Sequence, residues 1–333
     1  MHAHMARDLL LSAFAALAII GQKPAFPAKT GVKSAGLKIP IERLTPDAVF
    51  PVPGAPDWIA PAPDVEAVFV SNKPKDLVAR LDPKTNAVAA TIPVGKRPCS
   101  GLAVGFGSLW VPNCGDNTIA RVDLKDGKVT ATIPAGIGNS EGSIVTGAGS
   151  VWLVTDAKGT LVRIDPATNK PVAEIYVAPG SFGMAFGEGA VWVTSTEKNL
   201  VTRVDPNTNL VAETIPVGKA PRFIAAGEGA VWALNQGDGS VWRIDPGTNK
   251  VTATIEVGVP GEGGDIAAGE GSVWVTSFGY PISRIDPATN AVVQQFVGKG
   301  GDAIRVGLGS VWLSNLEAGT VWRLDPRRVE ATQ

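Results

Sequence analysis

The sequence predicts an all-β protein, a seven-bladed β-propeller with four-stranded antiparallel blades. Two markers that recur in step and a four-run pattern within each period carry this expectation. Gly-Ser-Val-Trp at 149–152 returns in near copies that place tryptophan at 110, 152, 192, 232, 274 and 312, with Phe69 in the corresponding place of a seventh copy. The second marker, Arg-Leu/Val/Ile-Asp, begins at Arg80, Arg121, Arg163, Arg203, Arg243, Arg284 and Arg323. Both markers give the same count, with landmark spacings of 38 to 42 residues.

Residues 211–246 display one unit most clearly: Val-Ala-Glu-Thr-Ile-Pro-Val-Gly, then a short small-residue run, then Ala-Val-Trp-Ala-Leu, then Ser-Val-Trp-Arg-Ile-Asp-Pro. Each run is β-branched or aromatic and ends on a turn residue, which marks strands. The tryptophan run is apolar on successive residues, so both its faces are expected to be buried between neighbouring sheets. Four strands in about 40 residues make a propeller blade. Arg163 and Asp165 share a strand face and are expected to pair with each other or with adjacent strands. Asp165-Pro166-Ala167-Thr168-Asn169 reads as a turn. Trp242 and Trp322 are expected to pack beside the six repeated tryptophans.

No strand of the Thr-Ile-Pro-Val-Gly type follows Arg323, whereas Ala48 to Val52 resembles one and precedes the first repeat. The N-terminal strand is therefore expected to complete the last blade, closing the ring and removing a free edge. The domain plan is a signal peptide at 1–21, a linker at 22–40 and the propeller at 41–333. The apolar run of residues 9–20 is too short to span a bilayer comfortably and precedes Gly21 and Pro24, as in an export signal. A periplasmic or secreted location follows. The only cysteines, Cys99 and Cys114, flank Gly105-Phe106-Gly107-Ser108. A simple two-residue hairpin would set them directly opposite each other, ~4.5 to 5.5 Å apart, within disulfide range.

Lys and Arg number 30 against 31 Asp and Glu, which argues against a broad nucleic-acid or acidic-membrane footprint. No segment predicts a membrane span in the mature chain, and a monomer is expected. The Gly-x-G-x-Val-Trp, Arg-Ile-Asp-Pro-x-Thr-Asn and Thr-Ile-Pro-Val-Gly segments resemble the YVTN-type bacterial propellers and the related streptogramin (virginiamycin B) lyases over about residues 41–326. That resemblance implies a seven-bladed ring, often extracytoplasmic, with ligands at the mouth of the central channel. The resembled lyases use a catalytic histidine near that mouth. Here the only histidines are His2 and His4, within the expected signal segment. Histidine-based acid-base or nucleophilic arrangements are thus missing from the expected mature chain, and no catalytic residue is assigned.

What repeats seven times serves the blades, so candidate binding residues are those that break the repeat. Loops leading into the first strand of each blade should ring the mouth, and they carry Trp58, Glu141, Phe182, Arg222 and Phe223, then Glu262, Asp265 and Asp302. Arg222 between Phe182 and Phe223 would suit an anionic or planar ligand. The four carboxylates among these residues could hold a hard cation such as Ca²⁺ or Mg²⁺, or stand as solvated loop charges; no metal ligand is assigned. The expected function is non-catalytic binding of a protein, polymer or small molecule at the channel face. The alternative is a metal-carboxylate-dependent lyase or lactonase-like enzyme.

Overall fold

The structure is a computed structural model that describes residues 26–138 and 141–333; the expected signal peptide and both histidines lie outside the described residues. Seven sheets form blades 1 to 7, at 56–93, 103–134, 144–176, 181–216, 221–256, 265–297 and 304–324. Their innermost strands neighbour one another in order, with blade 7 returning against blade 1. Ala48–Pro51 pairs antiparallel with Thr320–Leu324 and supplies the fourth strand of blade 7. The ring is thus closed by the N-terminal strand.

Burial follows the repeat. The landmark-bearing strands are buried almost throughout, whereas the outermost strands of blades 1 to 5 are mostly exposed or half-buried. Seven apolar clusters fill the seven interfaces between consecutive blades, as where Trp152 and Val154 of blade 3 meet Met184, Val191 and Val193 of blade 4. The six repeated tryptophans are all fully buried. Each indole also donates Nε1–H to the carbonyl of the Gly five residues earlier, as Trp152 does to Gly147 at 3.0 Å. A buried side chain of this size removes roughly 150–250 Å² from water, worth on the order of 4–6 kcal/mol before entropy is charged against it. Trp242 and Trp322 are partly buried at the edges of two clusters.

The recurrent arginine has a role that strand-face reasoning did not resolve. Arg163 lies over the Trp152 ring, 4.9 Å from its centroid, and does not pair with Asp165. Its Nη1 donates to Pro206 O and Asn209 Oδ1 of the next blade, both at 2.8 Å. Arg121 and Arg243 repeat the arrangement toward Asn169 and Asn290. Asn209 sits at φ 59° and Asn169 at φ 58°, a left-handed geometry that asparagine tolerates in such turns. Asp165 accepts from Ala167 N and Thr168 Oγ1 within its own turn. One motif therefore closes its own turn and fastens its blade to the next.

Blades 6 and 7 depart from the repeat because both ends of the described chain are anchored there. Lys38–Pro40, within the segment read as a linker, runs parallel to Ala291–Val297 as a fifth strand of blade 6. The buried Gln295 accepts from Val32 N at 2.8 Å and donates to Val257 O and Ser283 Oγ. Adjacent Gln294 donates to the carbonyls of Val329, Glu330 and Thr332 around the C-terminal helix Pro326–Ala331.

Cys99 and Cys114 form a disulfide with Cα atoms 5.9 Å apart. Their register differs from the simple hairpin. Gly105 faces Ser108 as expected, but Pro98 faces Asn113. Ser100 at φ 60° and Gly101 at φ 101° introduce a bulge. Cys99 N consequently donates to Pro112 O and Cys114 N to Arg97 O, so the cysteines are diagonal neighbours. Among the described residues no helix is long and apolar enough to cross a membrane.

Candidate functional site at the channel mouth

At one end of the ring, the loops entering the first strands converge with those leaving the second strands around a cavity of about 410 Å³. Blade 1 contributes Asp57, Trp58 and Lys73; blade 5 contributes Arg222 and Phe223; Glu141, Glu262, Phe278 and Asp302 come from the loops of blades 3, 6 and 7. The channel beyond it is lined largely by small and aliphatic residues of the inner strands, including Ala185, Ala225 and Ala267.

Trp58 reaches across the ring axis. The residue is 3% exposed, and its ring lies 6.0 Å from the Phe223 ring and approaches Gly142 of the blade 3 loop. A side chain at Gly142, which has φ +69°, would crowd that ring. Trp58 N donates to Ser71 Oγ, but its buried indole Nε1–H has no hydrogen-bond partner among the described residues. Arg222 lies over Phe182 at 4.5 Å and Phe223 at 5.5 Å, and its Nη2 donates to Glu141 Oε2 at 2.6 Å. Lys73 pairs with Asp57 at 3.2 Å and approaches Glu141 at 4.0 Å.

Acidic groups set the electrostatics. Burial pushes the Asp57 carboxyl above its usual range, opposed chiefly by the Lys73 charge. Asp302 is pushed up to about 7, first by burial and then by Asp57, while the Gly264 backbone amide holds it down and Asp265 and Glu141 add repulsion. Asp265 is raised to about 6 by burial, against the attraction of Arg305. A carboxyl that titrates near neutrality inside a cleft is suited to exchanging a proton or receiving a cation.

Of the sequence candidates, Trp58, Glu141, Arg222, Phe223, Glu262 and Asp302 wall the cavity, and Phe182 supports Arg222 from the side. Asp265 is 2% exposed and outside the cavity wall, engaged by the Arg305 guanidinium and by the backbone N–H of Ile266 and Ile304. Among the described residues, no three of His, Cys, Asp and Glu are grouped to hold a metal ion. Asp57, the neighbour of Trp58, also belongs in the wall, whereas Lys73 and Arg305 were missed.

Both missed residues had a sequence signal. Arg305 pairs with Trp312, the position held by Ala60, Ala103, Ala185, Ala225 and Ala267 opposite their own landmarks. Arg305 thus breaks the repeat on an inner strand, and its guanidinium stacks over Trp58 at 5.4 Å. Lys73 stands four residues past its landmark, the offset that also places Gln236, Phe278 and Leu316 at the mouth. Gln236 accepts from Arg222 Nη1 at 3.4 Å.

This architecture is that of a seven-bladed propeller with a polar-aromatic cavity at its channel mouth. No protein-family model matches the sequence, and no curated protein matches it. Among solved structures, a streptogramin B lyase is similar over 81% of this chain and 93% of its own, with TM-score 0.67 and 21% identity. Virginiamycin B lyase from Staphylococcus aureus is similar over 81% and 94%, with TM-score 0.67 and 17% identity. A catalytically inactive histidine-to-alanine form of that enzyme, solved with quinupristin, is similar over the same shares, with TM-score 0.66 and 16% identity. These likenesses establish a shared fold.

Proposed function

We propose that this protein is an extracytoplasmic, periplasmic or secreted propeller that binds a ligand or partner at its channel mouth without catalysing a reaction. Convergence carries the reading: repeat-breaking side chains from five blades wall one cavity backed by Trp58 and Phe223. The chain beyond His4 contains no histidine, so the histidine-dependent chemistry of the resembled lyases has no counterpart there. The disulfide supports an oxidising compartment. A thermal-shift screen of the purified protein, with quinupristin among the compounds and with and without chelator, tests the reading. Ligands that stabilise wild type should lose that effect in a Trp58→Phe, Arg222→Ala double variant; full retention contradicts the placement.

A second reading is favoured by Asp302. A carboxyl titrating at about 7 suits a general acid or base, as a lyase or lactonase-like enzyme with carboxylate-bound Ca²⁺ or Mg²⁺ would require. Mass-spectrometric detection of quinupristin or lactone turnover, dependent on either ion and lost in Asp302→Asn, would establish this reading over the first.

A further inference from the structure

The mouth cavity is unevenly balanced. Lys73 is engaged by Asp57 and Arg222 by Glu141. Asp302 has no ion-pair partner among the described residues, although Asp57, Asp265 and Glu141 all act on it with like charge. The Arg305 guanidinium is spent on Asp265. Besides this unbalanced carboxyl, the wall holds Trp58, 3% exposed, whose Nε1–H has no partner among the described residues. The residues carrying this unpartnered donor and the carboxyl without a cation wall one cavity, together with Phe223 and Phe278. Buried donors are ordinarily paired, and aromatic faces attract cations.

We propose that this cavity takes a small organic cation whose ammonium group pairs with Asp302, whose hydrogen-bond acceptor meets Trp58 Nε1–H, and whose apolar body lies against Phe223. This inference rests on the mouth being a ligand site and specifies the ligand's chemistry. The ammonium would replace the proton that Asp302 holds below about pH 7, so binding strengthens as pH rises through that region. Asp57 and Asp265, also raised, titrate in the same direction; the other charged groups facing this region are Glu141, Glu262, Lys73 and Arg222 in the cavity wall and Arg305 against Asp265.

The test is isothermal titration of the full mature chain at pH 5.5 and 8 with three matched probes. Phenylalaninol carries the ammonium, 3-phenyl-1,2-propanediol is its neutral analogue and 3-phenyllactate its anionic one. Phenylalaninol should bind about tenfold more tightly than the diol at pH 8, and this preference should shrink at pH 5.5. Asp302→Asn should abolish the preference, read as the ratio of phenylalaninol to diol affinity in the same protein; if that variant fails to fold, the loss of the preference in wild type between pH 8 and 5.5 decides, and an unchanged ratio overturns the assignment. Equal binding of the three probes, with all binding lost in Trp58→Phe, keeps the mouth as a ligand site and overturns the cation assignment. Tighter binding of phenyllactate overturns it too, as does Ca²⁺ or Mg²⁺ displacing phenylalaninol at micromolar concentration. No heat from any probe overturns both this inference and the small-ligand form of the proposed function.

Discussion

Replacing Asp302 by asparagine should stabilise the protein by an amount that grows from about pH 4 and is complete above about pH 7. In the unfolded chain this carboxyl titrates near its ordinary value of about 3.9, whereas in the fold it is raised to about 7. Below about pH 4 both states are protonated and the residue carries no linkage penalty. Between about 4 and 7 the unfolded chain releases the proton while the folded chain retains it, so stability falls as pH rises. Above about 7 the full penalty applies, at most about 4 kcal/mol for a shift of about three units. For a chain of this length, that ceiling corresponds to about 6 °C in melting temperature. Thermal melts of wild type and Asp302→Asn at pH 4.5 and 8.5 measure it. The variant should melt several degrees higher at pH 8.5 and close to wild type at pH 4.5. A gain of equal size at both pH values, or a loss at pH 8.5, would refute the electrostatic picture of the mouth.

Three further outcomes follow from the scaffold. Arg163→Ala should cost about 1–3 kcal/mol, because it removes the contact with Trp152 and both bonds to the next blade; Arg163→Lys should recover little, since one ammonium cannot stack and reach both acceptors, and thermal melts decide both. Changing both cysteines to serine should lower stability by about 3 kcal/mol while leaving the circular-dichroism spectrum folded. Gln295→Ala leaves Val32 N and Val257 O without their partner, so limited proteolysis should cut the N-terminal segment faster than in wild type while the propeller stays intact.

The ring itself was legible because tryptophan landmarks and arginine-aspartate motifs mark the same seven units, and closure showed in the missing strand after Arg323. The arginine latch was hidden because strand-face reasoning sees neighbours within a blade, whereas the partner of Arg163 is Asn209, 46 residues away in the next. The disulfide was foreseen but its register was not, since a bulge at Ser100 and Gly101 leaves no mark as clear as a turn motif. At the mouth, repeat-breaking loop residues proved a useful guide to the wall. Asp265 and Arg305 show the limit of that guide: a charge on an inner strand can turn toward another blade, which only the closed ring reveals.

The central claim, that the repeat-breaking residues of the mouth form the binding site, is tested most directly by a crystal structure of the protein with a ligand from the thermal-shift screen. The account predicts ligand density within the cavity bounded by Trp58, Arg222, Phe223 and Asp302. Density seated instead on the opposite end of the ring or on the outer strands, with this cavity holding only water, would contradict it.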